Sequence, residues 1–237
     1  MKVFTLYYDR FKTATTSKLL NDNGIKHIVL CHYNSQKFIE LYGEVIETNN
    51  PKGIQYNLNS GLDMLEVGEW GIFLSDDYKK SFRLDKVQNK FIECEFSEVY
   101  NNLLETIEVA DKVGAKLVGM NCTGNAMFSA NKYGKYGLVD GRMFAIKKTD
   151  FTWREDINTI TDYYASVYHL KKYGGNLILQ DCYAEFERYG ADGIGTAQTR
   201  ESKKKKDIRI IKNLYPDNVK VKDKPGQSKG THIIINR

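Results

Sequence analysis

The stretch Trp70-Gly71-Ile72-Phe73-Leu74-Ser75-Asp76-Asp77-Tyr78 decides how this chain is read. Trp70 to Leu74 is a short apolar run that stops at Asp76 and Asp77. A run of that length, bounded by polar residues, fits a strand covered on both faces in a parallel sheet. In open α/β sheets, ligands gather beyond the carboxyl ends of the strands. Neighbouring carboxylates at such an edge repel one another unless a cation lies between them, and a divalent ion carrying a phosphate-bearing substrate meets that need. An acidic turn without any ligand is the plain alternative for two acids taken alone.

Upstream of this strand the pattern alternates. Lys2 to Tyr8 is a strand, and Thr15 to Asn23 is a helix closed by Gly24. Lys26 to His32 is a second strand, Ser35 to Tyr42 a short helix stopped by Gly43, and Glu44 to Thr48 a third strand. The turn Asn49-Asn50-Pro51-Lys52-Gly53 leads to a helix over Tyr56 to Leu65, with Leu58, Leu62 and Leu65 on one face. Such alternation means a parallel sheet with crossover helices. Downstream, Ser97 to Val113 is a long amphipathic helix capped by Gly114, and Lys116 to Met120 is a strand. Asn121 to Tyr136 reads as a polar loop, Arg142 to Lys147 as a strand, Thr161 to Tyr173 as a helix, and Asn176 to Gln180 as a strand. Residues 189 to 206 read as a glycine-rich and then basic segment, and Thr231 to Asn236 as a final strand. The expected fold class is therefore α/β: a Rossmann-like, mostly parallel central sheet with helices on both faces, in a single domain over residues 1–237. The Gly-x-Gly-x-x-Gly fingerprint is absent, which disfavours dinucleotide binding of the usual type.

A chain of 237 residues that is 41% hydrophobic has material for a sizeable core. No apolar run approaches the roughly 18 residues of a membrane span. The opening Met-Lys-Val-Phe-Thr-Leu lacks a secretory signature. Cys31, Cys94, Cys122 and Cys182 form no Cys-x-x-Cys pair, so small buried thiols in a reducing compartment are expected. These features point to a soluble, cytoplasmic protein that does not engage membranes. Oligomeric state is not legible.

The net charge of +5 is unevenly placed. Residues 200 to 229 hold eleven lysines and arginines, including Arg200 and the run Lys203, Lys204, Lys205 and Lys206, against four acids. A basic segment beside a structured core suggests a polyanionic partner, nucleotide phosphates or a nucleic-acid backbone. A solvated lysine loop is the alternative. Sixteen tyrosines offer stacking platforms for bases, or simply pack with their hydroxyls at the surface.

Taken together, these motifs resemble the glycosyltransferases of the GT-A fold, over nearly the whole chain. The resemblance implies a nucleotide-sugar-binding half over residues 1–80 and an acceptor-binding half over 81–237. Ser75-Asp76-Asp77 stands where the family carries its Asp-x-Asp motif, with serine in place of the first acid. Asp77 then corresponds to the acid that ligates a divalent ion, Mn2+ or Mg2+, holding the diphosphate of a nucleotide sugar, most readily a UDP-sugar. Asn59, in Gly53-Ile-Gln-Tyr-Asn-Leu-Asn59, matches the polar residue that contacts the nucleotide. Asp140-Gly141-Arg142 resembles the glycine loop that touches the donor sugar, which singles out Gly141. Thr161-Asp162 is similar to the family's Glu-Asp signature, so Asp162 is the implied catalytic base. His232 stands near the place of a C-terminal metal-binding histidine. More narrowly, Tyr7-Tyr8-Asp9-Arg10-x-x-Thr13, Gly193-Ile194-Gly195 through Arg200, and Tyr215-Pro216-Asp217 resemble the TET-associated glycosyltransferases, found mainly in bacteriophages. That resemblance implies a metal-dependent hexosyl- or pentosyltransferase acting in the host cytoplasm. Its acceptor would be DNA bearing hydroxymethylated pyrimidines such as 5-hydroxymethylcytosine.

The residues carry plain readings beside these. Asp162 at a helix start lies in a positive dipole, which would lower its pKa and keep it ionised. An aspartate there is equally a helix cap. Tyr8 ends the first strand, and Arg10 and Thr13 follow it and precede a helix, where helix N-termini meet phosphates, or they form an ordinary surface loop. His32 and Asn34, at the end of the second strand, border the nucleotide base or simply end the strand. Arg10, Arg200 and Lys203 can share the neutralisation of phosphate. Glu155 and Asp156 are a rival carboxylate pair for the base. Reaching a base hydroxyl within a duplex requires flipping the nucleotide, and Tyr133, Tyr136, Tyr163 and Tyr164 would line that pocket or pack in the core. Lys203 to Lys206 would grip DNA phosphates. A transferase with a non-DNA acceptor, and a non-catalytic nucleic-acid-binding protein on this scaffold, are the competing readings.

Overall fold

The computed structural model describes residues 1–7, 15–31, 45–47, 53–121, 123–129, 131–187, 197–223 and 231–235. The apolar run becomes β4 (Trp70–Ser75), whose first five residues are all buried. Its two faces serve two cores. Phe73 packs with Phe4 and Phe144 in one cluster, while Ile72 and Leu74 join the other. Parallel to β4 runs β1 (Lys2–Leu6), in a register that sets Leu6 beside Ser75, so both strands end at one edge. β2 (Ile28–Cys31) and β3 (Val45–Glu47) extend the parallel half.

On the other side of β4 lies β9 (Met143–Lys147), antiparallel to it and to β7 (Leu117–Met120). β10 (Leu177–Leu179) is parallel to β7, and β8 (Tyr133–Gly134) closes the edge. The eight-stranded order is β3-β2-β1-β4-β9-β7-β10-β8. The reversal at β9 matters for the site. An antiparallel neighbour starts where β4 ends, so the loop entering β9 faces Ser75.

Helices cover both faces. α1 (Thr15–Asp22) and α3 (Phe96–Val113) contribute to the Ile72–Leu74 core; α2 (Ile54–Asp63) and α4 (Thr161–Tyr173) contribute to the Phe73 core. In α2, Gly61 is required by close approach, because a Cβ there would lie 2.5 Å from the Phe73 ring. Gly114 ends α3 with φ +79°, a left-handed conformation that glycine adopts without the Cβ penalty.

Three parts of the chain depart from the sequence reading. β5 (Tyr78–Asp85), β6 (Lys90–Cys94) and β11 (Cys182–Phe186) form a second, antiparallel sheet in the order β11-β5-β6. β11 buries alternate residues, Cys182, Ala184 and Phe186, while β5 buries only Ser81 and β6 none, so these strands carry no continuous apolar run. The basic segment becomes an 18-residue helix, α5 (Ala197–Leu214). Asp207, Ile208 and Ile211 are buried there, a stripe at helical spacing beneath a charged surface. After it, β12 (Val219–Asp223) pairs antiparallel with β13 (Thr231–Ile235). Among the described residues, no helix is long and apolar enough to cross a membrane. Cys31 and Cys182 are buried and Cys94 partly buried, none of the three in a disulfide; Cys122 lies outside the described residues.

Candidate functional site

A cavity of about 600 Å³ opens at the carboxyl edge of β4. Ser75 brings the strand end to it, the turn Asp140–Arg142 brings the start of β9, and Thr161 to Tyr163 bring the first turn of α4. Asn158 and Thr159 form a rim, and the floor is apolar: Leu58, Phe144 and Trp153 among others. A space of this size with an apolar base and a few convergent polar groups is the usual form of a small-molecule site. Three of the predicted residues, Ser75, Gly141 and Asp162, therefore meet in one place.

The turn after β4 is tied down by α1. The Thr16 hydroxyl donates to the Ser75 carbonyl at 2.6 Å and accepts from the Tyr78 N–H at 3.1 Å. The Thr15 hydroxyl donates to the Asp76 carbonyl. Asp76 is buried, and Asp77 is half-buried with Oδ1 accepting the Ser75 hydroxyl at 2.8 Å. Neither acid lines the cavity; both sit beside it, and the Glu187 N–H donates to the Asp77 carbonyl. Among the described residues, no three His, Cys, Asp or Glu side chains gather to hold a metal ion. The expected ligand His232 lies on β13 opposite Lys222 by backbone register, and its side chain is outside the description. The described side chains alone do not complete the donor set expected around Asp77.

Asp162 occupies the second position of α4, after Ile160 at the cap. Its Oδ1 accepts the N–H of the next residue, Tyr163, at 2.9 Å; the cap position belongs to Ile160 and no side chain caps the helix, so the reading of Asp162 as a helix cap is corrected. The expectation of a lowered pKa is corrected: its pKa is raised from 3.8 to about 7. Burial against the cavity wall is the main cause, and the neighbouring Asp140 carboxylate adds to it. Backbone N–H groups of Tyr163, Asp162 and Gly141 act the other way and are outweighed. Desolvation within the protein exceeds what the first turn of a helix returns. Asp162 is partly buried and lines the cavity.

Gly141 explains itself here. A Cβ at this position would stand 3.3 Å from Asp162 Cβ, tighter than most such contacts. On either side of the glycine, Arg142 forks onto Asp140. Nε donates to Oδ1 at 2.7 Å, a terminal nitrogen grips Oδ2, and the Arg142 N–H also donates to Oδ1 at 3.0 Å. The pattern Asp-Gly-Arg was visible in sequence, but its fork was not, since only the tight turn brings side chains two residues apart together.

Asn59 is placed elsewhere than expected. Its Nδ2 donates to the Trp153 carbonyl and its Oδ1 accepts the Trp153 N–H, both at 2.8 Å. The amide thus holds the loop that carries Trp153, and it does not line the cavity. Glu155 is exposed and Asp156 is forked by Arg154; neither reaches the cavity, so the rival carboxylate pair is set aside. Of the four tyrosines, Tyr163 lines the cavity, whereas Tyr164 is buried in the core beside Phe151. Tyr136 is exposed, and Tyr133 pairs through the edge strand β8.

Lys203, Lys205 and Lys206 are exposed on α5, and Lys204 is half-buried. Among the described residues none of the four makes a salt bridge. Arg200 is in the first turn of the same helix, with its side chain outside the description. Tyr8, Arg10, Thr13, His32 and Asn34 lie outside the described residues. Sequence reasoning missed Asp207. Its Oδ2 accepts the Asn158 N–H, the Thr159 N–H and the Thr159 hydroxyl at 2.7 to 3.0 Å, fixing the cavity rim to α5. A lone aspartate after four lysines gives no local sign of that role.

No protein-family model matches the chain, and no curated protein matches it. Solved structures do. GalNAc-T7, solved with UDP, GalNAc and Mn2+, is similar at a TM-score of 0.54 and 9% identity, over 91% of this chain and 48% of that one. The chain thus spans about half the length of that protein. A mycobacterial protein is similar at a TM-score of 0.51 and 11% identity, over 99% of this chain and 83% of that one. At such identities the likeness establishes architecture alone: this chain has a GT-A-like α/β fold.

Proposed function

We propose that this protein is a glycosyltransferase that moves a sugar from a nucleoside-diphosphate donor to an acceptor hydroxyl. The observation that carries the reading is the meeting of Ser75, Gly141 and Asp162 in one cavity at the carboxyl edge of a GT-A-like sheet. In the transfer, the bond between the sugar's anomeric carbon and the donor phosphate breaks and the diphosphate leaves. A bond to the acceptor oxygen forms, and the acceptor's proton passes to an oxygen of Asp162. A carboxylate with a pKa of about 7 suits that task, since a base is most effective when its pKa lies near the working pH. The apolar floor of Leu58, Phe144 and Trp153 keeps water from the reacting centre. GalNAc-T7 was solved with Mn2+, and Asp77 is the candidate ligand here. Because the described side chains do not complete a donor set, no step of the reading passes through a metal.

For the acceptor we propose DNA carrying 5-hydroxymethylpyrimidines. Support comes from the resemblance to TET-associated glycosyltransferases and from the exposed Lys203, Lys205 and Lys206 on α5. Phosphate contacts of this kind give salt-dependent, sequence-poor affinity. The test is incubation of hydroxymethylcytosine or hydroxymethyluracil DNA with a panel of UDP-sugars and Mn2+ or Mg2+, read by nucleoside mass spectrometry. A sugar-mass gain is expected with the native protein, and Asp162→Asn should lower the rate by roughly 100-fold or more. DNA retention without any product would convert the reading to a binding module. Product on glycans but not on DNA would remove the DNA acceptor.

A further inference from the structure

Within the cavity, Asp162 faces a second carboxylate whose position is fixed by a cation. Asp140 and Asp162 come from different elements, the turn entering β9 and the first turn of α4; both line the cavity, and the missing side chain of Gly141 leaves room for Asp162 against that turn. Ser75 at the end of β4 and Asn158 and Thr159 on the rim are neutral, α2 presents Ile54 and Leu58, and Tyr163 neighbours Asp162 on α4. Glu187, beyond β11, is exposed and 3.6 Å from Lys79. Arg142 and Asp140 are therefore the charged pair that bears on Asp162.

We propose that Asp140, gripped by Arg142, is a positioning residue whose charge sets the pH at which Asp162 takes and releases its proton. The inference rests on the reading of Asp162 as the proton acceptor and adds what tunes it. The fork holds Asp140 in one orientation and offsets part of its charge, so Asp162 is shielded from a fully exposed neighbour. Like charges in a shared low-dielectric site resist joint ionisation, and the proton stays on the carboxyl that lacks a cation. Asp162 is that carboxyl: it accepts from the Tyr163 backbone N–H, whereas Asp140 has a guanidinium. Removing Asp140's charge releases Asp162's proton at lower pH. Removing Arg142 leaves Asp140 uncompensated and holds the proton to higher pH. A residue that merely supported the turn would not move the titration in opposite directions.

The experiment is titration of aspartate side-chain carboxyl carbons by carbon-13 NMR in the free protein, with Asp162→Asn identifying the Asp162 signal. The native protein should show one aspartate titrating near neutrality. Asp140→Asn should move that midpoint down by about one pH unit, and Arg142→Met should move it up by a similar amount. Midpoints that stay put in both variants, or that shift in the same direction, overturn the proposal. If Asp140→Asn fails to fold, Arg142→Met decides alone: an upward shift supports the proposal, and any other result overturns it. Since the measurement needs no substrate, it separates two failures. Opposite shifts with no transfer at any pH would remove the glycosyltransferase reading and leave the coupling. Transfer with an Asp162 midpoint indifferent to Asp140 would do the reverse.

Discussion

His169 and Asp162 show how one residue's surroundings decide its protonation, and they act on stability in opposite senses. His169 is fully buried among Phe151, Tyr168 and Tyr173, with Nδ1 2.7 Å from the Ala165 carbonyl. Its Nε2 has no partner among the described residues, and burial lowers its pKa from 6.5 to about 4. The folded protein therefore holds this histidine neutral while the unfolded chain protonates it. Stability from this site is complete above about pH 6.5 and is lost as pH falls toward 4, amounting to about 3 kcal/mol. His169→Phe should flatten the acid side of a plot of unfolding free energy against pH, measured by urea melts between pH 4 and 7; an unchanged slope would contradict it. Asp162 has the reverse sign. Its raised pKa means that folding becomes costlier as pH rises from 3.8 toward 7.

At the scale of elements, α5 shows how a helix can be amphipathic without looking so. Its average composition is dominated by Lys203 to Lys206, Arg209 and Lys212, yet Asp207, Ile208 and Ile211 form a buried stripe. Asp207 joins that helix to the cavity rim through three hydrogen bonds to Asn158 and Thr159. Asp207→Ala would leave two backbone N–H groups and a hydroxyl unmet in a half-buried place. A loss of roughly 2 to 3 kcal/mol in urea-unfolding free energy is expected. Amide exchange at residues 158 and 159 should rise together with exchange in α5. Faster exchange confined to α5 would show that the rim stands without it. Four consecutive lysines mask a periodicity whose buried members are one acid and two isoleucines, which is why residues 189–206 read in sequence only as a glycine-rich and then basic segment.

Across the whole molecule, the two halves of the chain share one sheet, joined where β4 pairs with β9 from Trp70↔Lys147 to Leu74↔Met143. The two tryptophans report on opposite faces, Trp70 in the core with α3 and Trp153 in the core with α2 and α4. With a sheet that belongs to both halves, we expect residues 1–237 to unfold in one transition, with tryptophan fluorescence and far-ultraviolet circular dichroism coinciding in urea. Separate midpoints would mean that the N-terminal and C-terminal halves are independent units.

What the amino-acid order determined by itself was local or periodic. The apolar run from Trp70 to Leu74 demanded burial on two faces, the strand–helix alternation before it demanded parallel crossovers, and the glycines after α1, α3 and α4 marked where helices end. Gly141 and Asp162 were legible as a glycine beside a strand and an acid opening a helix. Only the tertiary structure decided that β9 runs against its neighbours, that Asn59 serves Trp153, and that Asp140, Arg142 and Asp162 meet. It also decided the sign of Asp162's pKa shift. Dipole and capping effects act within one turn of chain and can be read in order, whereas desolvation and like-charge repulsion depend on what distant segments fold against a group.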